Sequence, residues 1–279
     1  MSQIIDGKAI AAQIKDELKE EVMRMRSGGI SAALAVIQVG TDPASSIYVN
    51  NKKKACEYVG IHSEVYELPE EVSQEELLAL VGRLNRDDKI NGILVQLPLP
   101  GHINEESVIT AISPKKDVDG FHTENAGRLM VGKKGFIPCT PAGIIQLIKR
   151  SGFDIEGKEC VVIGRSNIVG KPMAALLLQE NGTVTVAHSK TAHLKEVSSR
   201  ADILVAAIGK PKFITADYVK EGAVVIDVGI HRMADRKMCG DVDFDSVYKK
   251  AAAITPVPGG VGPMTIAMLL CNCVEAAKR

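Results

Sequence analysis

The chain has 279 residues, of which 46% are hydrophobic and 24% charged, a composition typical of a globular protein. This length suits two domains of ordinary size better than one. The 34 basic and 34 acidic residues balance, whereas proteins that bind nucleic acids usually carry a basic excess, so we expect no nucleic-acid partner.

The N-terminal residues and the cysteines indicate a cytoplasmic protein. Residues 1–22 are charged and amphipathic and lack the apolar core of a secretory signal. The chain has no uncharged apolar run of about 18 residues, so we expect no membrane span. The six cysteines are scattered without a Cys-x-x-Cys pair, which predicts reduced thiols and neither disulfides nor a metal site.

Helices and strands alternate along the chain, which predicts an α/β fold with mostly parallel sheets. Asp42 and Pro43 supply an N-cap and a first-turn proline for the second helix, and Gly60 ends it. In chain order, the first elements are helix 7–27, strand 32–39, helix 43–59, strand 62–68, helix 74–85, strand 92–97 and helix 104–112.

Residues 113–141 are rich in proline, glycine and charge, and we interpret them as the path between two domains. We therefore expect an N-terminal α/β domain of residues 1–139, completed by the C-terminal helix 260–279, and a Rossmann-like domain of residues 140–259. The later elements are helix 140–150, strand 160–163, helix 171–179, strand 183–187, helix 191–199, strands 203–207, 223–228 and 252–255, and helix 265–277.

The segment VVIGRSNIVGKP (161–172) has the strand–turn–helix pattern of a dinucleotide site. Gly164 permits a sharp turn and Gly170 a close approach of the helix, whose free amides and dipole would meet a diphosphate. The spacing departs from Gly-x-Gly-x-x-Gly, because Ser166 stands where the second glycine is expected. We predict a nicotinamide-dinucleotide site here.

The strand after this turn bears on which dinucleotide binds. An NAD site normally has an acidic residue at the end of that strand, to bind the ribose hydroxyls. Here the strand ends in His188-Ser189-Lys190-Thr191, without an acid. Arg165 and Ser189 could instead hold a 2′-phosphate, which favours NADP over NAD.

Tyr48 and Lys52 are four residues apart in the second helix and share a face. Like charge from Lys53 and Lys54, together with partial burial, would favour the neutral amine and prepare Lys52 for proton transfer. The alternative is a solvated basic helix face with Tyr48 at the edge of the core.

Three further segments admit both functional and structural interpretations. Gln96 ends an apolar strand, where ligands bind in open sheets. Asp117 and Asp119 lie in a turn, where a carboxylate could accept paired N–H donors of a ligand ring or could cap a helix. The run 258–263, PGGVGP, could let the backbone approach a ligand or could simply form a turn.

The chain resembles the bifunctional methylenetetrahydrofolate dehydrogenase/methenyltetrahydrofolate cyclohydrolase family over nearly its whole length. The similar segments are YVNNKKKAC (48–56), VQLPLP (95–100), KDVDGFH (116–122), PCTPAGI (138–144), GRSNIVGKP (164–172), VIDVGI (225–230) and TPVPGGVGPMT (255–265).

This resemblance implies a soluble homodimeric enzyme of one-carbon metabolism, which supplies purine biosynthesis. It implies NADP-dependent oxidation of 5,10-methylenetetrahydrofolate to the methenyl form, then hydrolysis to 10-formyltetrahydrofolate. It also implies two domains with a cleft between them, and dimer contacts through the cofactor domains.

The resemblance also implies residue roles. Lys52 matches the catalytic lysine, Gln96 the glutamine beside it, Tyr48 the tyrosine stacked on the aminobenzoyl ring, and Asp119 the pterin-binding acid. Further substrate contacts would come from Leu97, Pro258, Gly259, Gly260 and Val261, and cofactor contacts from Gly164, Arg165, Ser166, Gly170, Ser189 and Ile230.

Other protein classes explain less of the sequence. In short-chain dehydrogenases the glycine-rich turn precedes the Tyr/Lys helix, and here that order is reversed. A shikimate or amino-acid type of two-domain dehydrogenase would explain the cofactor turn but not the YVNNKKK, VQLPLP and PGGVGPMT segments together. A nucleotide-sensing module would leave Lys52, Gln96 and Asp119 without a function. A monofunctional methylenetetrahydrofolate dehydrogenase remains an alternative within the family.

Overall fold

A computed structural model describes residues 2–279, with every side chain among them except that of Ala44. In the described residues the strands are β1 (Gln3–Ile4), β2 (Ala33–Val39), β3 (His62–Leu68), β4 (Gly92–Val95), β5 (Glu159–Ile163), β6 (Thr183–Ala187), β7 (Ile203–Ala206), β8 (Val224–Asp227), β9 (His231–Arg232), β10 (Met238–Cys239) and β11 (Ala253–Ile254). The helices are α1 (Gly7–Ser27), α2 (Pro43–Val59), α3 (Gln74–Arg86), α4 (Glu105–Ala111), α5 (Thr123–Met130), α6 (Cys139–Arg150), α7 (Gly170–Gln179), α8 (Leu194–Ser198), α9 (Phe244–Tyr248) and α10 (Val261–Ala277).

The chain divides into two compact units, each with its own parallel sheet. The first unit comprises residues 12–137 and 266–279, and the second comprises residues 2–11 and 138–265. The predicted N-terminal domain of residues 1–139 differs from this division at its beginning. In the structure, residues 2–11 lie in the second unit because β1 pairs in parallel with β11.

The sheet of the first unit has the strand order β3-β2-β4. Its central strand, β2, is buried at every position, as its apolar sequence, interrupted only by Gln38, predicts. Helix α3 begins with a capping box, in which Ser73 and Glu76 each satisfy the backbone N–H of the other. Apolar residues of α3 and α4 pack on this sheet and form the core of the unit.

The sheet of the second unit has six parallel strands in the order β1-β11-β8-β7-β5-β6. Strand β5 lies between β6 and β7. The chain therefore passes from β5 to β6 on one side of β5 and then crosses to β7 on its other side, so the strand order reverses next to β5. Such a reversal point is where doubly wound sheets bind ligands, at the carboxyl ends of the strands.

Several elements differ from the sequence predictions. Residues 123–130 form helix α5 inside the segment interpreted as an irregular path. The helix was not predicted because it is only eight residues long and lies in a segment rich in proline, glycine and charge. The predicted helix 191–199 is confined to Leu194–Ser198. Helix α10 begins at Val261, earlier than predicted, since Pro263 falls in the first turn, where proline is tolerated.

Among the described residues, no helix combines the length and apolarity that crossing a membrane requires.

Candidate active site

Helix α2 places Lys52 inside the first unit. The Asp42 side chain accepts the N–H of Ser45 at 2.8 Å at the start of the helix, and Gly60 ends it with a left-handed φ of 90°. Lys52 is 9% exposed, whereas Lys53 and Lys54 on the same helix are exposed. The alternative of a solvated basic face therefore describes Lys53 and Lys54 and does not describe Lys52.

Gln96 meets Lys52 at the carboxyl end of β4. The Lys52 Nζ donates to Gln96 Oε1 at 2.8 Å, and Gln96 Nε2 donates to the carbonyl of Leu97 at 2.6 Å. The second bond holds the amide nitrogen away from Lys52 Nζ, so the amide oxygen faces it. The backbone N–H of Gln96 donates to Ile37 O at 2.8 Å, which ties this residue to the central strand. Lys52 is thus held in one place.

The two acids of the DVDG turn have different environments. Asp117 is buried and accepts Asn125 Nδ2 at 2.8 Å and the backbone N–H groups of His122 and Phe121 at 2.9 and 3.2 Å. These bonds join the turn to the beginning of α5, so Asp117 is the structural acid of the pair. Asn125 was missed in the sequence, because α5 itself was not predicted.

Asp119 lies close enough to Lys52 to interact with it electrostatically. Burial raises the pKa of the Asp119 carboxyl to about 6, the positive charge of Lys52 opposes that shift, and the negative charge of Asp117 adds to it. Tyr48, one turn before Lys52, is 40% exposed and presents much of its ring to solvent. The first unit therefore combines a buried amine, an amide, a carboxyl and an accessible aromatic ring.

The turn after β5 in the second unit requires its glycines. Gly164 has φ +140°, and a Cβ there would lie 2.2 Å from the carbonyl oxygen of Ala207, which follows β7. A Cβ on Gly170 would lie 2.3 Å from the carbonyl oxygen of Gly164. The turn is thus packed backbone against backbone at the point where the strand order reverses.

The serine that replaces the second glycine has a structural role of its own. Ser166 Oγ accepts the N–H groups of Val169 and Gly170 at 3.2 and 3.3 Å. The N–H of Lys171 donates to the carbonyl of Ser166 at 3.1 Å. The expectation of free amides at the start of α7 is therefore wrong for these three, because the turn satisfies them internally.

A cavity of about 280 Å³ lies at this edge of the sheet. It brings together four residues predicted to bind the cofactor, Gly164, Arg165, Ser166 and Ser189. Lys210 and Phe213 also line it and were missed, although their position just after a strand next to β5 is a usable signal. The other two residues predicted to bind the cofactor, Gly170 and Ile230, do not line this cavity. Gly170 packs against the backbone of the turn, and the Ile230 side chain is 45% exposed.

The glycines of the PGGVGP run form a tight turn in the second unit. Gly259 has φ +108°, and its carbonyl accepts the N–H of Lys8 at 3.0 Å. A Cβ on Gly7 would overlap the carbonyl oxygen of Gly260. Close packing against the start of α1 is therefore a sufficient structural reason for this run.

The Rossmann-like sheet, with its glycine turn and basic cavity, and the buried lysine of the other unit define the class of two-domain dehydrogenases that use a nicotinamide dinucleotide. Comparison with known proteins identifies the family within that class. The family model "Tetrahydrofolate dehydrogenase/cyclohydrolase, catalytic domain" matches residues 5–119, and the model of its NAD(P)-binding domain matches residues 138–279. The chain belongs to the tetrahydrofolate dehydrogenase/cyclohydrolase family.

Individual relatives agree over the full length. The chain is 68% identical to the bifunctional protein FolD of Agathobacter rectalis, with all of both chains covered. It is similar to the crystal structure of the bifunctional FolD dehydrogenase/cyclohydrolase of Campylobacter jejuni, with 53% identity, a TM-score of 0.98, and 100% and 99% of the chains covered. It is also similar to the crystal structure of the Trypanosoma brucei dehydrogenase-cyclohydrolase, complexed with NADP and an inhibitor, with 41% identity, a TM-score of 0.95, and 100% and 98% of the chains covered. The predicted family, enzyme class and α/β fold are confirmed.

Proposed function

We propose that the chain oxidises 5,10-methylenetetrahydrofolate with NADP and hydrolyses the resulting 5,10-methenyltetrahydrofolate to 10-formyltetrahydrofolate, with Lys52 as the proton-transferring residue. Besides membership of the family, one observation carries the assignment of Lys52. Its buried Nζ is held at 2.8 Å from Gln96 Oε1, beside the carboxyl of Asp119.

The second unit fits the cofactor. The cavity has two cations, Arg165 and Lys210, with the hydroxyl of Ser189 and an apolar wall that includes Phe213. Arg165 and Ser189 would hold the 2′-phosphate, and the turn at Gly164 and Ser166 would receive the diphosphate. When bound, NADP supplies the hydride acceptor, so the protein has only to align the reacting rings.

The hydrolysis step needs a proton carrier. Water adds to the methenyl carbon and loses a proton, and the carbon–nitrogen bond to the pterin nitrogen breaks as that nitrogen gains a proton. A fixed amine can accept the first proton and deliver the second. The bond to Gln96 keeps Nζ oriented, and the partial burial around Lys52 limits competing water.

The remaining residue roles are also part of the proposal. Tyr48 would stack on the aminobenzoyl ring, which its exposure and its place one turn from Lys52 support. Asp119 would bind the pterin N–H groups, and Leu97 would contact the substrate beside Gln96. The assignments of Pro258–Val261 to folate and of Gly170 and Ile230 to NADP stay predictions.

One assay tests the proposed function. Purified protein is mixed with methylenetetrahydrofolate and either NADP or NAD, and the absorbance of the methenyl product is followed as it forms and decays. Formation with NADP followed by decay supports both activities. Formation without decay would indicate the monofunctional dehydrogenase, and no reaction with either cofactor would contradict the proposal.

Arg165→Gln is expected to raise the KM for NADP at least about tenfold, because a charge-assisted bond to the 2′-phosphate is lost. The KM for NAD, which lacks that phosphate, should not change. Arg200→Gln is the matched control, since this arginine lies in the same unit but outside the cavity, with its side chain 59% exposed. An equal rise of both KM values would argue against a 2′-phosphate contact.

The KM for methylenetetrahydrofolate should rise as the pH falls through about 6. The pKa of the Asp119 carboxyl lies near 6 in the folded protein, so below that pH the group is protonated and loses its strength as an acceptor of pterin N–H groups. In Asp119→Asn the KM should be about tenfold higher at neutral pH and independent of pH in this range. The KM for NADP serves as the internal control. A wild-type folate KM that stays constant across the range would contradict the role.

Two further statements about the chain are proposals. A homodimer through the second units is supported by the position of β6 at the edge of its sheet, with Val186 and Leu178 exposed, and sedimentation equilibrium tests it. A cytoplasmic location is supported by the six cysteines, none of which is in a disulfide in the part of the chain that the structure describes. We also propose that the enzyme acts without nucleic-acid or membrane partners, which its balanced charge supports.

A further inference from the structure

The second unit contains a buried carboxylate that neither the hydride transfer nor the hydrolysis uses directly. Asp241 follows β10 and is fully buried. Its Oδ2 accepts the N–H groups of Ile208 and Gly209 at 2.6 and 3.0 Å, and its Oδ1 accepts the N–H of Lys210 at 2.9 Å. Three consecutive amides of one loop thus converge on a single side chain.

The same carboxylate also binds a second segment. The Nε2 of His231, in β9, lies 2.8 Å from Asp241 Oδ1. Because a carboxylate only accepts hydrogen bonds, this nitrogen carries the proton. Four N–H groups therefore surround Asp241 and compensate the cost of burying its charge. The loop 208–210 and the segment that contains His231 are joined through one residue.

A second buried acid fixes the position of Asp241. Asp227, at the end of β8, accepts the backbone N–H of Asp241 and that of Val242, both at 2.9 Å. The packing leaves no room for side chains nearby, since a Cβ on Gly240 would lie 1.9 Å from Asp227 Oδ2 and one on Gly229 would lie 2.5 Å from Asp241 Oδ1. The carboxylate of Asp241 is thus held rigidly against the loop.

The loop that Asp241 holds forms part of the cofactor cavity. Ile208 and Lys210 line the cavity together with Arg165 and Ser189. Gly209 between them has φ +77°, a left-handed conformation that the flanking bonds to Asp241 maintain. Successive amides of this kind commonly form a nest that binds an anion. Here the anion is internal, so the loop presents its side chains, and not these amides, to the cavity.

We propose that Asp241 is a positioning residue of the cofactor site, which shapes the loop 208–210 for binding of the dinucleotide. This inference rests on the proposed function, in that the cavity is taken to bind NADP. Asp241 itself touches the loop and His231, and it acts on the cofactor through them.

The substitution Asp241→Asn tests the proposal. One carboxylate oxygen accepts two N–H groups of the loop, and the other accepts one from the loop and one from His231. Because asparagine replaces one oxygen by an NH₂ group, one of these two pairs of N–H groups would face a donor in place of an acceptor. We expect the Kd for NADP, measured by equilibrium binding, to rise about tenfold or more, corresponding to about 1.4 kcal/mol per tenfold change. The KM for NADP should rise with it. Hydrolysis of methenyltetrahydrofolate, which uses Lys52 in the other unit, should be unchanged. Asp245→Asn, in the same segment but exposed, is the matched control.

His231 provides a second pair of variants. His231→Ala removes one donor and should weaken NADP binding, whereas His231→Gln, which can still donate, should restore most of it. If the substitutions acted only by disrupting the fold, both variants would weaken NADP binding to the same extent. If Asp241→Asn does not fold, the test depends on His231→Ala, and an unchanged Kd for NADP in that variant overturns the proposal.

The outcomes separate this inference from the proposed function. If the wild-type protein does not bind NADP, the proposed function fails. If the wild type binds NADP and folded Asp241→Asn binds it equally well, the positioning role is overturned. A parallel fall of both activities with a lower unfolding temperature would also overturn it, because Asp241 would then serve only the stability of the unit.

Discussion

Lys52→Met is expected to abolish hydrolysis of methenyltetrahydrofolate, so that the methenyl product of the dehydrogenase reaction accumulates. Methionine has nearly the length of lysine and can occupy the same buried space, but it can neither accept nor donate the proton that the reaction moves. Loss of a positioned acid–base group typically costs a factor of about 10² to 10⁴ in rate. The bond to Gln96 Oε1 is lost as well.

The measurement is the rate of decay of the methenyl absorbance, with hydride transfer to NADP followed separately. Oxidation needs no proton carrier, so we expect it to persist in the variant at a measurable rate. Lys53→Met is the matched control, because Lys53 is adjacent in the chain but exposed. Near-normal hydrolysis in Lys52→Met would refute the role of Lys52, and an equal loss in Lys53→Met would indicate a general effect of helix charge.

Gly164→Ala is expected to abolish NADP-dependent oxidation and to lower the free energy of unfolding. The new Cβ would lie 2.2 Å from the carbonyl oxygen of Ala207, at a φ of +140° that side chains rarely adopt. Strain and overpacking together should cost about 3 kcal/mol or more. The chain can relieve the overlap only by separating the turn from β7, and that movement distorts the cavity in which the cofactor would bind.

Chemical denaturation and the KM for NADP measure the two consequences. Gly157→Ala is the control: Gly157 also has a positive φ, +71°, but a Cβ there would contact nothing within 4 Å. It should cost only about 1 kcal/mol and leave the KM for NADP unchanged. Hydrolysis at Lys52, measured below the unfolding temperature, should survive in Gly164→Ala. Normal NADP binding in a stable Gly164→Ala protein would show that this turn is not the cofactor cradle.

Local chemistry made much of the fold predictable. The mostly apolar run of β2 predicts a buried strand, and Asp42, Pro43 and Gly60 mark both ends of α2 in the sequence itself. The strand–turn–helix around Gly164 was predictable for the same reason. Helix α5 and the β9–β10 hairpin were not predictable, because eight residues of helix and strands of two residues are too short to give a clear pattern.

The candidate site divides in a similar way. The sequence alone determined the family, through motifs in a fixed order, and with it the roles that we propose for Lys52, Gln96 and Asp119. Tertiary structure decided which of three neighbouring lysines is buried, because the burial of a side chain depends on what packs against its helix. It also decided which acid of the DVDG turn holds the turn and which lies beside Lys52.

The turn between Val161 and Pro172 shows the same division in one segment. Its sequence determined a tight turn at the predicted dinucleotide site, since only glycine fits the backbone contacts of Gly164 and Gly170. The inward direction of the Ser166 hydroxyl and the support of the opposite loop by Asp241 were decided by tertiary structure alone. The physical reason is that a hydrogen bond joins groups that are near in space, and Asp241 is some thirty residues along the chain from the amides it binds.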